Sequence, residues 1–275
     1  VADGSDLGGS LRNPANFNNV VALRPTVGLV PLAPFPLPFV GFTAKGPMAR
    51  SVADVAFLLS VMAGADPRDP GCSPSDPSVF ARPLDRDLKG VRVAWCPDLG
   101  GLPLDHRVRS VIEAQRETFE NLGCIVEEAC PDLRAADKVF LDIRMWMSSL
   151  RLAPLLENHR DQMKPEAVWE IESGARLSGA DIAGAMVRHG EILEHMRRFQ
   201  EKYDFLLCAV NQVPPFDAKI DWPKEVEGVG MEHYLAWMRS AYWISATFCP
   251  AISVPAGFTA EGLPVGLQIV GRRRD

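Results

Sequence analysis

Apolar residues recur at Val52, Val55, Ala56, Leu59 and Met62, a three-and-four spacing that predicts a helix over 51–64. Ser51 offers an N-cap with Asp54 in the first turn, and Gly64 suits the C-terminal end. Proline and aspartate dominate 65–77 (ADPRDPGCSPSDP), which reads as loop. Val91–Trp95 predicts a strand, Arg107–Leu122 an amphipathic helix stopping at Gly123, and Cys124–Glu128 a second strand, together a β-α-β unit. Residues 137–203 are mainly helical by pattern, with a long charged helix from Asp181 to Tyr203. Phe205–Val210 predicts a buried strand and Tyr234–Phe248 a helix. Ala251–Pro255 and Val265–Val270 predict two strands joined by a Gly-rich turn. Residues 1–47 read as loop-rich, with short apolar runs such as Val20–Leu23. Strands alternating with helices place the chain in the α/β class.

The 275 residues suit one large domain or two small ones and bury a sizeable core. A net charge of −6 argues against a nucleic-acid partner, which wants a basic surface. Arg272–Arg274 is the dense basic run, and at a chain end it reads as a solvated tail. Cys72, Cys96, Cys124, Cys130, Cys208 and Cys249 form no CxxC pair and no zinc-like spacing with histidine. They read as free thiols in a reducing compartment, which predicts a cytoplasmic protein. The most apolar stretch, Gly28–Phe42, is short and rich in proline, so it predicts no membrane helix.

The loop Gly4–Ala15, GSDLGGSLRNPA, concentrates the candidate chemistry. Gly8 and Gly9 before Ser10 let the backbone approach another group closely. Successive N–H groups in such a turn can form an anion-binding nest, with Ser10 as a nucleophile at its end. Asp6 and Arg12 flank the turn with opposite charges and can pin it from both sides. A plain glycine turn followed by a serine cap explains the same residues, and the residues alone leave both readings open. The P-loop lysine, the GxGxxG spacing and the GxSxG elbow are all absent. A serine nucleophile needs a base. His189 and His195 tempt, but six helical residues turn roughly 600°, so they do not share a face. Lys45 is the lysine nearest the loop in sequence, and nothing in the sequence brings it to Ser10.

These residues resemble the amidase signature family of serine hydrolases. GSDLGGSLRNPA is similar to the second half of that family's signature, and LRPTVG at Leu23–Gly28 to its continuation. GPMARSVADVAFLLSVMAG at Gly46–Gly64, ADPRDP at Ala65–Pro70 and LKGVRVAW at Leu88–Trp95 follow in the family's order. PAISVPAGFTAEGLPVGLQIVG at Pro250–Gly271 resembles its C-terminal hallmark, while the helical middle matches only loosely. The resemblance implies a mixed central sheet flanked by helices and a Ser–Ser–Lys mechanism. Carried over, Ser10 is the nucleophile, and the amides of Leu7, Gly8, Gly9 and Ser10 form the oxyanion hole. Asp6 and Arg12 hold the loop. Trp146, and the stretch Asn211–Phe216 with Gln212, resemble regions that line the acyl pocket.

The family's relay serine and base lysine lie upstream of the nucleophile, and nine residues precede Ser10 here. Asn18, Asn19 and Ala22 also stand where the family usually has cysteine- or glycine-like residues. The resemblance therefore implies a single incomplete amidase domain over 1–275, its N-terminal part missing. Residues 1–87 would hold the active-site loop and core, 88–245 a helical and α/β middle, and 246–275 core strands. The partners expected are a small-molecule amide and the missing part of the same enzyme. The apolar surface bared by that part's loss predicts one of two things, self-association as a homodimer through the face around Ser10 or a nicked enzyme whose first part is lost. No metal or organic cofactor is implied. An amide hydrolase is the favoured function. A glutamine-hydrolysing amidotransferase A-type subunit and a non-catalytic fragment of the same fold are the alternatives.

Overall fold

A computed structural model of the chain describes residues 1–35, 37 and 39–275. Pro36 and Pro38, within the proline-rich Gly28–Phe42 stretch, lie outside the described residues. In chain order the elements are β1 (Ala2–Asp6), α1 (Arg12–Phe17), β2 (Val21–Arg24), β3 (Ala44–Ala49), α2 (Val52–Met62), β4 (Arg92–Trp95), α3 (His106–Glu113) and α4 (Arg116–Asn121). There follow β5 (Ile125–Glu128), α5 (Ala136–His159), α6 (Pro165–Ala175), α7 (Gly179–Lys202) and β6 (Phe205–Ala209). A small hairpin of β7 (Glu225–Val226) and β8 (Val229–Gly230), then α8 (Arg239–Ser245), β9 (Ala251–Phe258) and β10 (Pro264–Val270), complete the chain.

Eight strands form one mixed sheet in the order β1-β3-β2-β9-β10-β6-β4-β5. Pairing is antiparallel from β1 to β6 and parallel for β6–β4 and β4–β5. The β-α-β unit thus appears at the end of the sheet away from β1. Both faces of the inner strands are covered. Ala94, Cys96, Leu206 and Cys208 turn to a core shared with Val139, Phe140, Ile143 and Met147 of α5 and with Ala185, Ile192 and Met196 of α7. Val93, Trp95, Leu207 and Ala209 turn the other way, onto Val108 and Ile112 of α3. A strand buried on both faces needs an unbroken apolar run, which is why Phe205–Ala209 reads as one.

Local chemistry sets the helix ends. Ser51 Oγ accepts the Asp54 amide at 3.1 Å, and α2 runs to Met62, within the predicted span. Three predicted elements differ from those observed. The single helix over 107–122 is two, because the Gln115 amide bonds the Ile112 carbonyl and the Thr118 amide the Gln115 carbonyl, tightening the chain between α3 and α4. The helix over 234–248 is a 3₁₀ turn, Ala236–Met238, followed by α8. The loop-rich start holds β1, α1 and β3 as well as β2. The segments ADGSD and AKGPMA carry no apolar alternation, and the pairing of Ala2–Asp6 with Ala44–Met48 supplies what the pattern lacks. Among the described residues no helix is long and apolar enough to cross a membrane.

Cys96 follows β4 and Cys130 follows β5, and their sulfurs are bonded, with Cα atoms 5.4 Å apart. This corrects the expectation of six free thiols, and it removes the support that cysteine usage lent to a reducing compartment. No spacing motif joins two cysteines 34 residues apart; the parallel pairing of β4 with β5 sets them side by side. Cys72, Cys124, Cys208 and Cys249 are free. Cys130→Ser should lower stability by about 2–4 kcal/mol for a loop of this size. Urea midpoints measured without reductant check this. A midpoint equal to wild type would show that the bond closes no costly loop.

Candidate active site

The site begins with a carboxylate that cannot reach water. Asp6, the last residue of β1, has no exposed surface. Its oxygens accept the amides of Gly9 at 2.8 Å, Leu11 at 3.3 Å and Arg12 at 3.4 Å. The Arg12 guanidinium closes on it with Nε at 2.9 Å and a terminal nitrogen at 2.9 Å, a forked pair across the base of the glycine turn. Arg12 is itself fully buried. Its remaining donors reach the Ala241 carbonyl at 2.8 Å, Ser245 Oγ at 2.7 Å and Gln268 Oε1 at 2.5 Å.

A second buried arginine stands behind the first. Arg24, at the end of β2, lies 3.4 Å from the Asp6 carboxylate and donates to the carbonyls of Asp6, Phe42 and Ser245. Burial pulls the Arg24 pKa down to about 10, and Asp6 partly restores it, so it stays charged at neutral pH. For Asp6, burial pushes the pKa upward. The Arg12 charge and hydrogen bonds, the Arg24 charge and the Gly9 amide outweigh this and hold it well below the usual carboxylate range. One buried negative charge thus faces two positive ones, and main-chain carbonyls take up the excess.

This clamp shapes Leu7–Ser10. Gly9 has φ +118°, and a Cβ there would lie 2.5 Å from Asn13 Oδ1 and 2.8 Å from Ala241 Cβ. A Cβ on Gly8 would lie 2.9 Å from Phe140 Cζ. Both positions therefore require glycine. Ser10 is exposed at the crest of the turn, two residues before α1. Of the four amides expected in the oxyanion hole, that of Gly9 is spent on Asp6, a correction imposed by the clamp itself. The amides of Leu7, Gly8 and Ser10 have no acceptor among the described residues. The turn presents a hydroxyl beside uncommitted donors, the arrangement that acyl transfer uses.

The other candidates divide. Trp146, on α5, is half-buried and borders the same apolar cluster as Leu7. Gln212 is fully buried, its side chain donating to the Pro103 carbonyl at 3.0 Å and accepting the Arg239 amide at 2.8 Å. It pins main chain, which corrects its assignment to a substrate surface. Lys45 sits on β3 opposite Ser5 in the antiparallel register. His189 bonds the Ala246 carbonyl at 2.8 Å between Phe42 and Phe248 and is a packing histidine. Sequence reasoning missed Arg24, Ser245 and Gln268, which complete the clamp from 18, 233 and 256 residues away from its local pair. Arg24 lay in a motif already singled out, LRPTVG, as a charge in an apolar strand. Gln268 likewise lay in a quoted motif, as an amide in the predicted strand Val265–Val270, and Ser245 gave no signal.

Comparison with known proteins follows the same turn. The family model described as Amidase matches residues 1–275. An acylamidase of Rhodococcus erythropolis is 33% identical over 279 residues, covering 100% of this chain and 58% of that protein. The A-type subunit of the glutamyl-tRNA(Gln) amidotransferase of Lactococcus lactis subsp. lactis is 30% identical over 303 residues, covering 99% of this chain and 60% of that protein. The crystal structure of a bacterial aryl acylamidase of the amidase signature family superposes with a TM-score of 0.90 at 23% identity, over 99% of this chain and 59% of that one. The mixed sheet with flanking helices is the fold these enzymes share. The chain thus spans under two thirds of the length of the relatives it matches.

Because the folded pKa of Asp6 lies below its unfolded value of about 3.9, its contribution is complete above about pH 5. That contribution drains away as pH falls toward the folded value. Asp6→Asn should cost about 3–5 kcal/mol at pH 7, since it leaves two buried guanidiniums unanswered. It should also flatten the acid limb of stability against pH. Urea midpoints from pH 7 to pH 3.5 check both, and parallel curves for variant and wild type would contradict the clamp.

Proposed function

The chain belongs to the amidase family, and from that membership we propose that residues 1–275 carry the nucleophile of an enzyme that hydrolyses carboxylic amides. The observation that carries this is the clamped turn: an exposed Ser10 sits between the Gly9 and Leu11 amides, both held by Asp6 of the fully buried Asp6–Arg12 pair. Ser10 Oγ attacks the amide carbonyl carbon, and the electron pair of the C=O moves onto oxygen. The amides of Leu7, Gly8 and Ser10 donate to that oxyanion. The carbonyl re-forms, the C–N bond breaks, and the amine leaves with a proton. Water then attacks the acyl-Ser10 ester, releasing the acid and regenerating the hydroxyl. Leu7 and Trp146 supply apolar surface to the acyl side.

The proton of Ser10 needs an acceptor, and its hydroxyl bonds no base among the described residues. We assign the base lysine and relay serine to a further segment of the same enzyme. The longer relatives and the family's motif order support this. In this reading residues 1–275 form one incomplete domain. Its sheet draws strands from all three of the sections 1–87, 88–245 and 246–275. A second reading, a glutamine-hydrolysing subunit, is favoured by the 30% identity to the A-type subunit of the amidotransferase.

The complete enzyme should release amine from N-acyl arylamides, and Ser10→Ala should lower that rate by about four orders of magnitude or more, as loss of a nucleophile does. Residues 1–275 alone should show negligible turnover. Glutamine supplied in parallel discriminates the readings. Ammonia release from glutamine, raised by a partner subunit, with no arylamide turnover, would favour the second. Full turnover by Ser10→Ala would overturn both.

A further inference from the structure

The clamp holds the turn from below, and a different set of residues meets it from the side. The position of a Cβ on Gly8 is 2.9 Å from Phe140 Cζ and 3.5 Å from Tyr242 Cβ. These two rings stack, with centroids 4.4 Å apart and planes 17° from parallel. Phe140 comes from α5 and Tyr242 from α8, so the stack joins the helical middle of the chain to the wall of the site. Asp137 precedes Phe140 by three residues, on the same face of α5. Its Oδ1 accepts the Tyr242 hydroxyl, Arg239 Nε at 2.9 Å and the Trp243 indole at 3.3 Å. Tyr242 is thus fixed at its ring by Phe140 and at its hydroxyl by Asp137. Burial, with Asp137 beside it, drives the hydroxyl far above its ordinary pKa, so it remains a donor throughout any assay range. The residue before it, Ala241, gives its carbonyl to Arg12 and lies against Gly9. Two successive residues of α8 therefore grip both glycines.

We propose that Asp137, Tyr242 and Phe140 act as a positioning unit that sets the height of Gly8 and so aims its amide at the oxyanion, a role that rests on Ser10 being the nucleophile. Oxyanion donors act within narrow tolerances, about 0.5 Å and 10–20°. Loss of one costs about 10²–10³ in kcat, and a misaimed one costs a fraction of that.

The test uses the complete enzyme. Tyr242→Phe keeps the stack and loses the hydroxyl. It should lower kcat by about 3- to 30-fold with KM within about twofold, the pattern of an interaction made in the transition state. An aldehyde inhibitor that forms a tetrahedral adduct on Ser10 should lose affinity by the same factor. Asp137→Asn keeps an acceptor for Tyr242 and should stay closer to wild type than Asp137→Ala. If Tyr242→Phe does not fold, the two Asp137 variants carry the same comparison. Lowered melting temperature with unchanged kcat per folded molecule and unchanged aldehyde affinity would overturn the positioning role. Ser10→Ala run alongside separates the two ideas. If it keeps turnover, the nucleophile reading fails. If it is inactive while Tyr242→Phe matches wild type, only the positioning unit fails.

Discussion

A single buried carboxylate organises the protein around its candidate nucleophile. Asp6 would be untenable in the core as an isolated charge. Arg12 and Arg24 make it tenable, and through their remaining donors they reach α8 and β10. Each of these contacts is satisfied by one path of the chain between residues 6 and 12. A well-packed apolar replacement of such a cluster can match its stability, so its use here is conformational. It selects one shape for a turn whose two glycines would otherwise allow many.

Packing and electrostatics act on that turn from opposite sides. The carboxylate draws the Gly9 amide inward, while the Phe140 ring and the Tyr242 Cβ stop Gly8 from following. The amides that escape the carboxylate are those of Leu7, Gly8 and Ser10, which the proposed mechanism uses. This explains why the turn tolerates no Cβ at either glycine. It also explains why helices on one face of the sheet matter to the shape of the turn at its rim. α5 fills the core through Val139, Ile143 and Met147 and touches the turn through Phe140.

What could be read from the sequence follows the range of the forces involved. Local signals held: the Ser51 cap and the apolar spacing of α2, and the unbroken apolar run of β6. The Asp6–Arg12 pair was legible because the two lie six residues apart around a glycine turn. Elements that depend on distant partners were not. β1 and β3 exist because they pair with each other, not because ADGSD or AKGPMA favours extension. Cys96 and Cys130 meet only once two parallel strands align. Gln212 drew attention by its neighbourhood in the sequence, whereas its role as a main-chain pin depends on Pro103 and Arg239. The residues of the turn alone favoured a plain cap over a nucleophile, and the long motifs in family order pointed toward the second.

The clamp also constrains how the chain is made. Ser245 lies 233 residues beyond Arg12, and Gln268 lies 256 beyond it. At roughly 5–20 residues per second of synthesis, Arg12 waits about 13–51 s at the ribosome before its wall of acceptors is complete. Until then the two arginines lack their partners on α8 and β10. The turn is thus translated long before the residues that shape it. That order leaves the shape of the turn unset until distant parts of the chain exist.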